Sequence, residues 1–131
     1  MTRYRSFFAG LVAVILLGAL PASAAEWKHF TTEEFAAAQA ADKPILIDVF
    51  AAWCPTCRAQ NPILVQLTRQ PKFKDMIVFK IDFDTQKDEL RALNVRAQST
   101  LIVFKGKKEV GRSAGDTSEI SIEGLLDKTL L

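Results

Sequence analysis

The sequence predicts a single α/β domain in three layers: a central mixed sheet of about four strands with helices on both faces. Three observations lead to this class. First, residues 45–51 and 76–83 are short, nearly continuous apolar runs of the kind found in buried strands, and a helix-spaced segment lies between them. A strand–helix–strand unit of this type closes as a right-handed parallel crossover. Second, two strand-like runs at 100–104 and 109–113 flank Lys105-Gly106-Lys107-Lys108, a turn signal that makes them an antiparallel hairpin of the same sheet. Third, helical segments fall before, between and after these strands, so both sheet faces can be covered.

The elements follow in order. Thr31-Thr32-Glu33-Glu34 reads as a capping box, with Thr31 as the cap and Glu34 reaching back. The helix it opens should run to about Ala41, with Phe35 and Ala38 facing inward, and Asp42-Lys43-Pro44 ends it. Ile45 to Ala51 is the central strand, interrupted only by Asp48. Arg58 to about Gln70 is helical, with Ile63, Leu64 and Leu67 apolar and Pro62 placed to kink it. Met76 to Phe83 is the second strand, and Gln86 to Leu93 a short helix. After the hairpin, Thr117 or Ser118 caps a last helix ending near Leu130, with Ile122, Leu125 and Leu126 inward. The chain shows no internal repeat, low-complexity tract or linker.

The chain has 131 residues, enough for one domain rather than two. Its start reads as an export signal: Arg3 and Arg5, an apolar run from Phe7 to Leu20, Pro21, then Ala22-Ser23-Ala24 as a cleavage site. The apolar run is shorter than the roughly 20 residues a spanning helix uses, which favours cleavage over a retained anchor. The expected organisation is a signal peptide at 1–24 and the folded domain at 25–131, with a periplasmic destination. Loss of Arg3 and Arg5 from the 17 basic residues leaves 15 against 15 acidic ones. A mature chain so balanced has no basic footprint for nucleic acid. Lys105, Lys107 and Lys108 are expected to be solvated charges on the hairpin turn.

The chain has two cysteines, Cys54 and Cys57. An exported disulfide scaffold carries more, at longer spacings. Closing so short a loop removes little chain entropy, so a purely structural bridge is weakly motivated. Trp53-Cys54-Pro55-Thr56-Cys57 instead follows a buried strand and opens a helix. Unpaired N–H groups and the helix dipole favour a thiolate at that position, making Cys54 the attacking sulfur. Cys57 lies one turn on, where helix neighbours have Cβ atoms about 5–6 Å apart, so it can resolve a mixed disulfide. Pro55 suits the first turn, where its missing N–H costs little.

With these residues in place the chain resembles the thioredoxin family over most of residues 27–131. Ile47-Asp48-Val49-Phe50-Ala51-Ala52-Trp53-Cys54 resembles that family's central strand and the approach to its active site. Pro62 matches the family's helix kink, and Gly115 lies near its glycine after the last hairpin. Asp48 falls where many thioredoxins bury an aspartate, and Lys80 where that aspartate's lysine neighbour lies. The resemblance implies a three-layer thioredoxin-like sandwich and thiol–disulfide exchange without a cofactor or metal. It also implies that Asp48 helps deprotonate Cys57. On physical grounds a carboxylate inside an apolar strand is costly, burial raises its pKa and Lys80 opposes that. Trp53 is expected to shield the site and shape its surface.

One departure stands out. The family has a cis-proline followed by Thr in the loop facing the cysteines; here the matching residues are Gln98-Ser99-Thr100. A cis bond before Ser costs about 2.5–4 kcal/mol, so a trans bond between Gln98 and Ser99 is expected. In the family this loop pairs with the substrate backbone, which makes Trp53, Pro55, Gln98, Ser99 and Thr100 the expected substrate-binding set. Ser99 can also hydrogen-bond a thiolate. His29, the sole histidine, is expected on the surface rather than in catalysis.

The leading expectation is an exported, monomeric reductant acting on protein thiols and disulfides, supplied by a membrane electron donor; oxidation of clients is the open alternative direction. Two other classes compete. A dimer pooling Cys54 and Cys57 from each chain has the four thiolates of a zinc or iron–sulfur centre. A redox-inactive client-binding protein uses the same fold without exchange.

Overall fold

The computed structural model describes residues 23–131, so the expected signal peptide lies almost wholly outside the described residues. The elements are β1 (Glu26–His29), α1 (Thr32–Ala40), β2 (Pro44–Phe50), α2 (Pro55–Thr68), β3 (Ile77–Asp82), α3 (Lys87–Ala92), β4 (Thr100–Lys105), β5 (Lys108–Ala114) and α4 (Glu119–Asp127). Single 3₁₀ turns follow at Pro71–Phe73 and Lys128–Leu130. The sheet order is β1-β3-β2-β4-β5. β1, β3 and β2 run parallel, and the β4–β5 hairpin joins β2 antiparallel.

The expected sheet of about four strands is corrected to five. The addition is β1, whose Glu-Trp-Lys-His sequence has no apolar run to announce it. It exists because β3 offers a free edge: Glu26 to His29 pair in register with Ile77 to Lys80. Two contacts with α2 hold it there. Trp27 Nε1 donates to Thr68 Oγ1 at 3.2 Å, and Ala25 N–H donates to the Thr68 carbonyl at 3.0 Å.

Elsewhere local chemistry sets the expected elements, with two shifts: α2 begins at Pro55 rather than Arg58, because Cys54 is its cap, and α4 ends at Asp127, passing into the 3₁₀ turn at Lys128–Leu130. Thr31 Oγ1 accepts the Glu34 N–H at 3.2 Å, the cap expected of α1. Ser118 caps α4 through the Ser121 N–H. The hairpin turns at Gly106, whose φ of +57° is open to glycine at low cost. Pro62 lies inside α2 and leaves the Arg58 carbonyl without its helical N–H.

Alternation along β2 divides the core. Ile45, Ile47 and Val49 face one side with Phe30, Phe79, Ile81 and Leu90. Leu46 faces the other, with Leu64, Leu67, Val78, Leu101 and Ile122. Asp48 shares the parity of Leu46, so it points to the side covered by α2, beneath the helix that carries the cysteines.

Candidate active site

β2 ends at Phe50 and the chain turns at once into α2. The Cys54 N–H donates back to the Ala51 carbonyl at 3.1 Å, and Cys54 is the extended N-cap residue, with Pro55 in the first turn. Its sulfur does what a capping oxygen does elsewhere: it accepts the Cys57 N–H at 3.1 Å. The two cysteines are joined as a disulfide, with Cα atoms 5.3 Å apart. Cys54 is 1% exposed and Cys57 8%. They pack in a small cluster with Ala51, Phe50 and Phe83.

The facing loop has the expected trans bond; no cis peptide occurs among the described residues. Ser99 has φ +61°, the left-handed region that side chains with a Cβ rarely occupy. The strain is held by three hydrogen bonds at Ser99's own backbone groups, two from backbone partners and one from a side chain. Ser99 N–H donates to the Val49 carbonyl at 2.8 Å, and its carbonyl accepts the Gly115 N–H at 3.0 Å and Gln60 Nε2 at 3.2 Å. This places Ser99 Oγ 3.1 Å from Cys54 Sγ and 3.2 Å from Cys57 Sγ. Gln60 Nε2 also donates to the Asp116 carbonyl at 2.8 Å, so one side chain ties α2 to both loops that face it.

On the other side of Cys57 lies a cleft of about 280 Å³, lined by Asp48, Phe50, Ala51, Ala52, Cys57, Arg58, Asn61 and Lys80. That volume holds several waters, each needing about 30 Å³. Asp48 is buried, and Lys80 Nζ stands 3.8 Å from its Oδ2. The two residues are register partners on β2 and β3. Burial pushes the Asp48 carboxyl up to about 6, with the Lys80 charge opposing the rise. Lys80 Nζ also lies 4.4 Å over the Phe50 ring.

The rim residues take distinct places. Trp53 is 55% exposed, and its indole N–H donates to Asp84 Oδ2 at 2.9 Å. Pro55 is exposed at the head of α2, and Gln98 is half-buried beside Ser99. Thr100 is buried, and its hydroxyl donates to the Ala97 carbonyl at 2.7 Å, within its own loop. His29 is exposed at the end of β1, paired with Lys80. The structure therefore brings Cys54, Cys57 and Ser99 into contact, with Asp48 and Lys80 on the adjoining cleft.

Two residues escaped sequence reasoning. Gln60 occupies the inner stripe Cys57, Gln60, Leu64, Leu67 of α2, and a polar residue on an apolar helix face was the available signal. Asp84 had no signal, because its partner Trp53 is 31 positions away. Among the described residues no group of three or more His, Cys, Asp or Glu is gathered to hold a metal ion.

Comparison with known proteins agrees with this geometry. The thioredoxin family model matches residues 26–128. A thioredoxin H-type of Brassica campestris is 35% identical over 83 residues, which is 63% of this chain and 66%, just under two thirds, of that protein. Thioredoxin-1 of Saccharomyces cerevisiae is 34% identical over 65% of this chain and 81% of its own length. Among solved structures, Trxlp from Edwardsiella tarda has a TM-score of 0.76 and 42% identity, covering 77% of this chain and 98% of that one. The chain belongs to the thioredoxin family, and carries a cysteine pair at the head of α2 in the fold of that family.

Proposed function

We propose that this chain is exported and reduces disulfides in exported proteins through Cys54 and Cys57. The observation that carries the chemistry is the placement of Cys54 Sγ as the N-cap of α2, 3.1 Å from the Cys57 N–H. A thiolate there gains from the helix N-terminus and from that donor. It attacks a client disulfide, and a mixed disulfide forms as the first client sulfur departs. Cys57 then loses its proton toward Asp48 through water in the cleft, and its thiolate attacks Cys54 Sγ. The second client sulfur leaves, and the pair closes in the oxidised state. An Asp48 carboxyl near pH 6 is ionised yet basic enough to take that proton at neutral pH. Trp53, Pro55 and the 98–100 loop border the approach to the sulfurs and supply the client-binding rim.

The exported location rests on the order of charges, apolar run and small-residue cleavage site in residues 1–24. The bridge must be reduced again after each turnover, and a donor in the membrane is the source proposed for those electrons.

The test is the reduction potential of the pair, measured against glutathione, with fractionation of cells expressing the full chain. A potential below that of glutathione and a periplasmic product starting near Ala25 support the reading. A potential well above it makes the protein an oxidant. A pair that never exchanges with a dithiol sinks the exchange reading, and an uncleaved cytoplasmic product sinks export.

A further inference from the structure

The loop departs from the family pattern it resembles: Ser99, at the position that pattern gives to a proline, places an oxygen beside the cysteines. Ser99 Oγ lies within hydrogen-bond distance of both sulfurs, at 3.1 and 3.2 Å. A disulfide carries no S–H, so in this state the hydroxyl is the donor. It has a single proton and two acceptors at nearly equal distance.

Three features make this contact more than packing. The oxygen is fixed by the backbone: N–H to Val49, carbonyl to Gly115 and to Gln60. The fixing holds Ser99 at a positive φ that a non-glycine residue adopts only when its surroundings impose it. Burial adds the third. Cys54 is 1% exposed, so a thiolate there draws little on solvent and depends on protein donors. Two face it, the Cys57 N–H and the Ser99 hydroxyl.

We infer that Ser99 is a catalytic residue whose one hydroxyl proton serves the two sulfurs in turn, first the Cys54 thiolate and then the Cys57 thiolate. This rests on the exchange reaction proposed above. In the reduced protein Ser99 Oγ–H donates to Cys54 S⁻, while Oγ accepts from the Cys57 S–H. Attack forms the Cys54–client bond and breaks the client disulfide; the first client sulfur takes the electron pair and a proton from water. Cys54 sulfur is now uncharged, and the hydroxyl turns about its C–O bond toward Cys57. As Cys57 gives its proton to Asp48 through water, the hydroxyl stabilises the new thiolate. Its attack forms the Cys54–Cys57 bond and breaks the mixed disulfide, and the second client sulfur leaves with the electron pair. Two electrons pass from the dithiol to the client, and Ser99 keeps the proton it began with.

The charged groups around the pair are Asp48 on β2, Lys80 on β3 and Arg58 on α2, all on the cleft side of Cys57. Asp84, after β3, is engaged by the Trp53 indole. All of these remain when the hydroxyl is removed.

The experiment compares wild type, Ser99→Ala and Ser99→Gly in the full chain. Alanine keeps the Cβ and its backbone strain, glycine relieves it, and both lack the donor. A hydrogen bond to a charged group has the size of a tenfold equilibrium effect or more. Both variants should therefore raise the Cys54 pKa by about one, read from thiolate absorbance against pH. Both should shift the glutathione equilibrium about tenfold toward the disulfide, or about 30 mV lower in potential. Both should lengthen the life of a mixed disulfide with a model client. Equal shifts in both variants support the role. A shift in only one of them assigns the effect to backbone strain and overturns it. An unchanged pKa and potential in variants that still exchange also overturns it, leaving the exchange reading intact. A wild-type pair that never exchanges overturns that reading, and this role with it.

Discussion

Asp48→Asn is predicted to make the protein more stable at neutral pH while impairing its chemistry. The substitution keeps the shape of the side chain and removes its charge. Asp48 has 4% of its surface exposed, and burial pushes its carboxyl from the ordinary 3.8 up to about 6. The folded protein thus holds this proton more tightly than the unfolded chain does. The stability it contributes is complete below pH 3.8 and is lost as pH rises through about 6. The interval corresponds to about 3 kcal/mol. Lys80 is not stranded by the change, since 29% of its side chain reaches solvent. The variant should therefore exceed wild type by up to about 3 kcal/mol at pH 8, and match it near pH 4. In urea unfolding of the oxidised proteins this is a midpoint difference of about 1–3 M at pH 8. Other titrating groups are common to both proteins and cancel in the comparison. A difference that is independent of pH, or that grows as pH falls, would refute the reasoning. The same variant should accumulate the mixed disulfide, because an amide cannot take the Cys57 proton.

Three further outcomes follow from the geometry. Ser99→Pro does not restore the family's loop on this backbone: proline fixes φ near −65° against the observed +61°, and it deletes the N–H that bonds Val49. It should lower stability by about 2–4 kcal/mol, and a thermal melt equal to wild type would contradict this. Gln60→Leu keeps the volume but removes the bonds to the Ser99 and Asp116 carbonyls. The expected loss is about 1–2 kcal/mol, together with a smaller rise in the Cys54 pKa than removal of the hydroxyl itself produces, measured by denaturation and by thiolate titration. Gly106→Ala adds a Cβ at φ +57° that runs into Asp42 Oδ1. It should cost about 1–2 kcal/mol with exchange rates unchanged, since this turn lies at the opposite end of β2 from the cysteines.

Much of this was legible because the signals are local. The Thr31 cap needs only Glu34, the hairpin needs only its glycine turn, and the cysteine pair needs only a strand before it and a helix after it. Asp48 and Lys80 could be matched by strand position, and the structure pairs them in register. The trans bond before Ser99 follows from the chemistry of a secondary amide. β1 was hidden because its four residues carry no pattern of their own; its place depends on the free edge of β3 and on Thr68, some 40 positions away. Gln60 was hidden because its partners, Ser99 and Asp116, are 39 and 56 positions distant.

The fold class and the cysteine pair were readable from the sequence alone, because periodicity, capping and CxxC spacing act within a few residues of each other; the family and the carboxylate behind the pair came from resemblance of the 47–54 segment and Lys80 to a known pattern. Only the tertiary structure decided what surrounds the sulfurs. Packing of α2 against β2 and the 97–100 loop buries Cys54, holds Ser99 in a strained conformation and brings its hydroxyl between the two cysteines. The contacts of the Ser99 hydroxyl with the sulfurs join residues more than 40 positions apart, and their energies depend on distances and burial that exist only once the chain has folded.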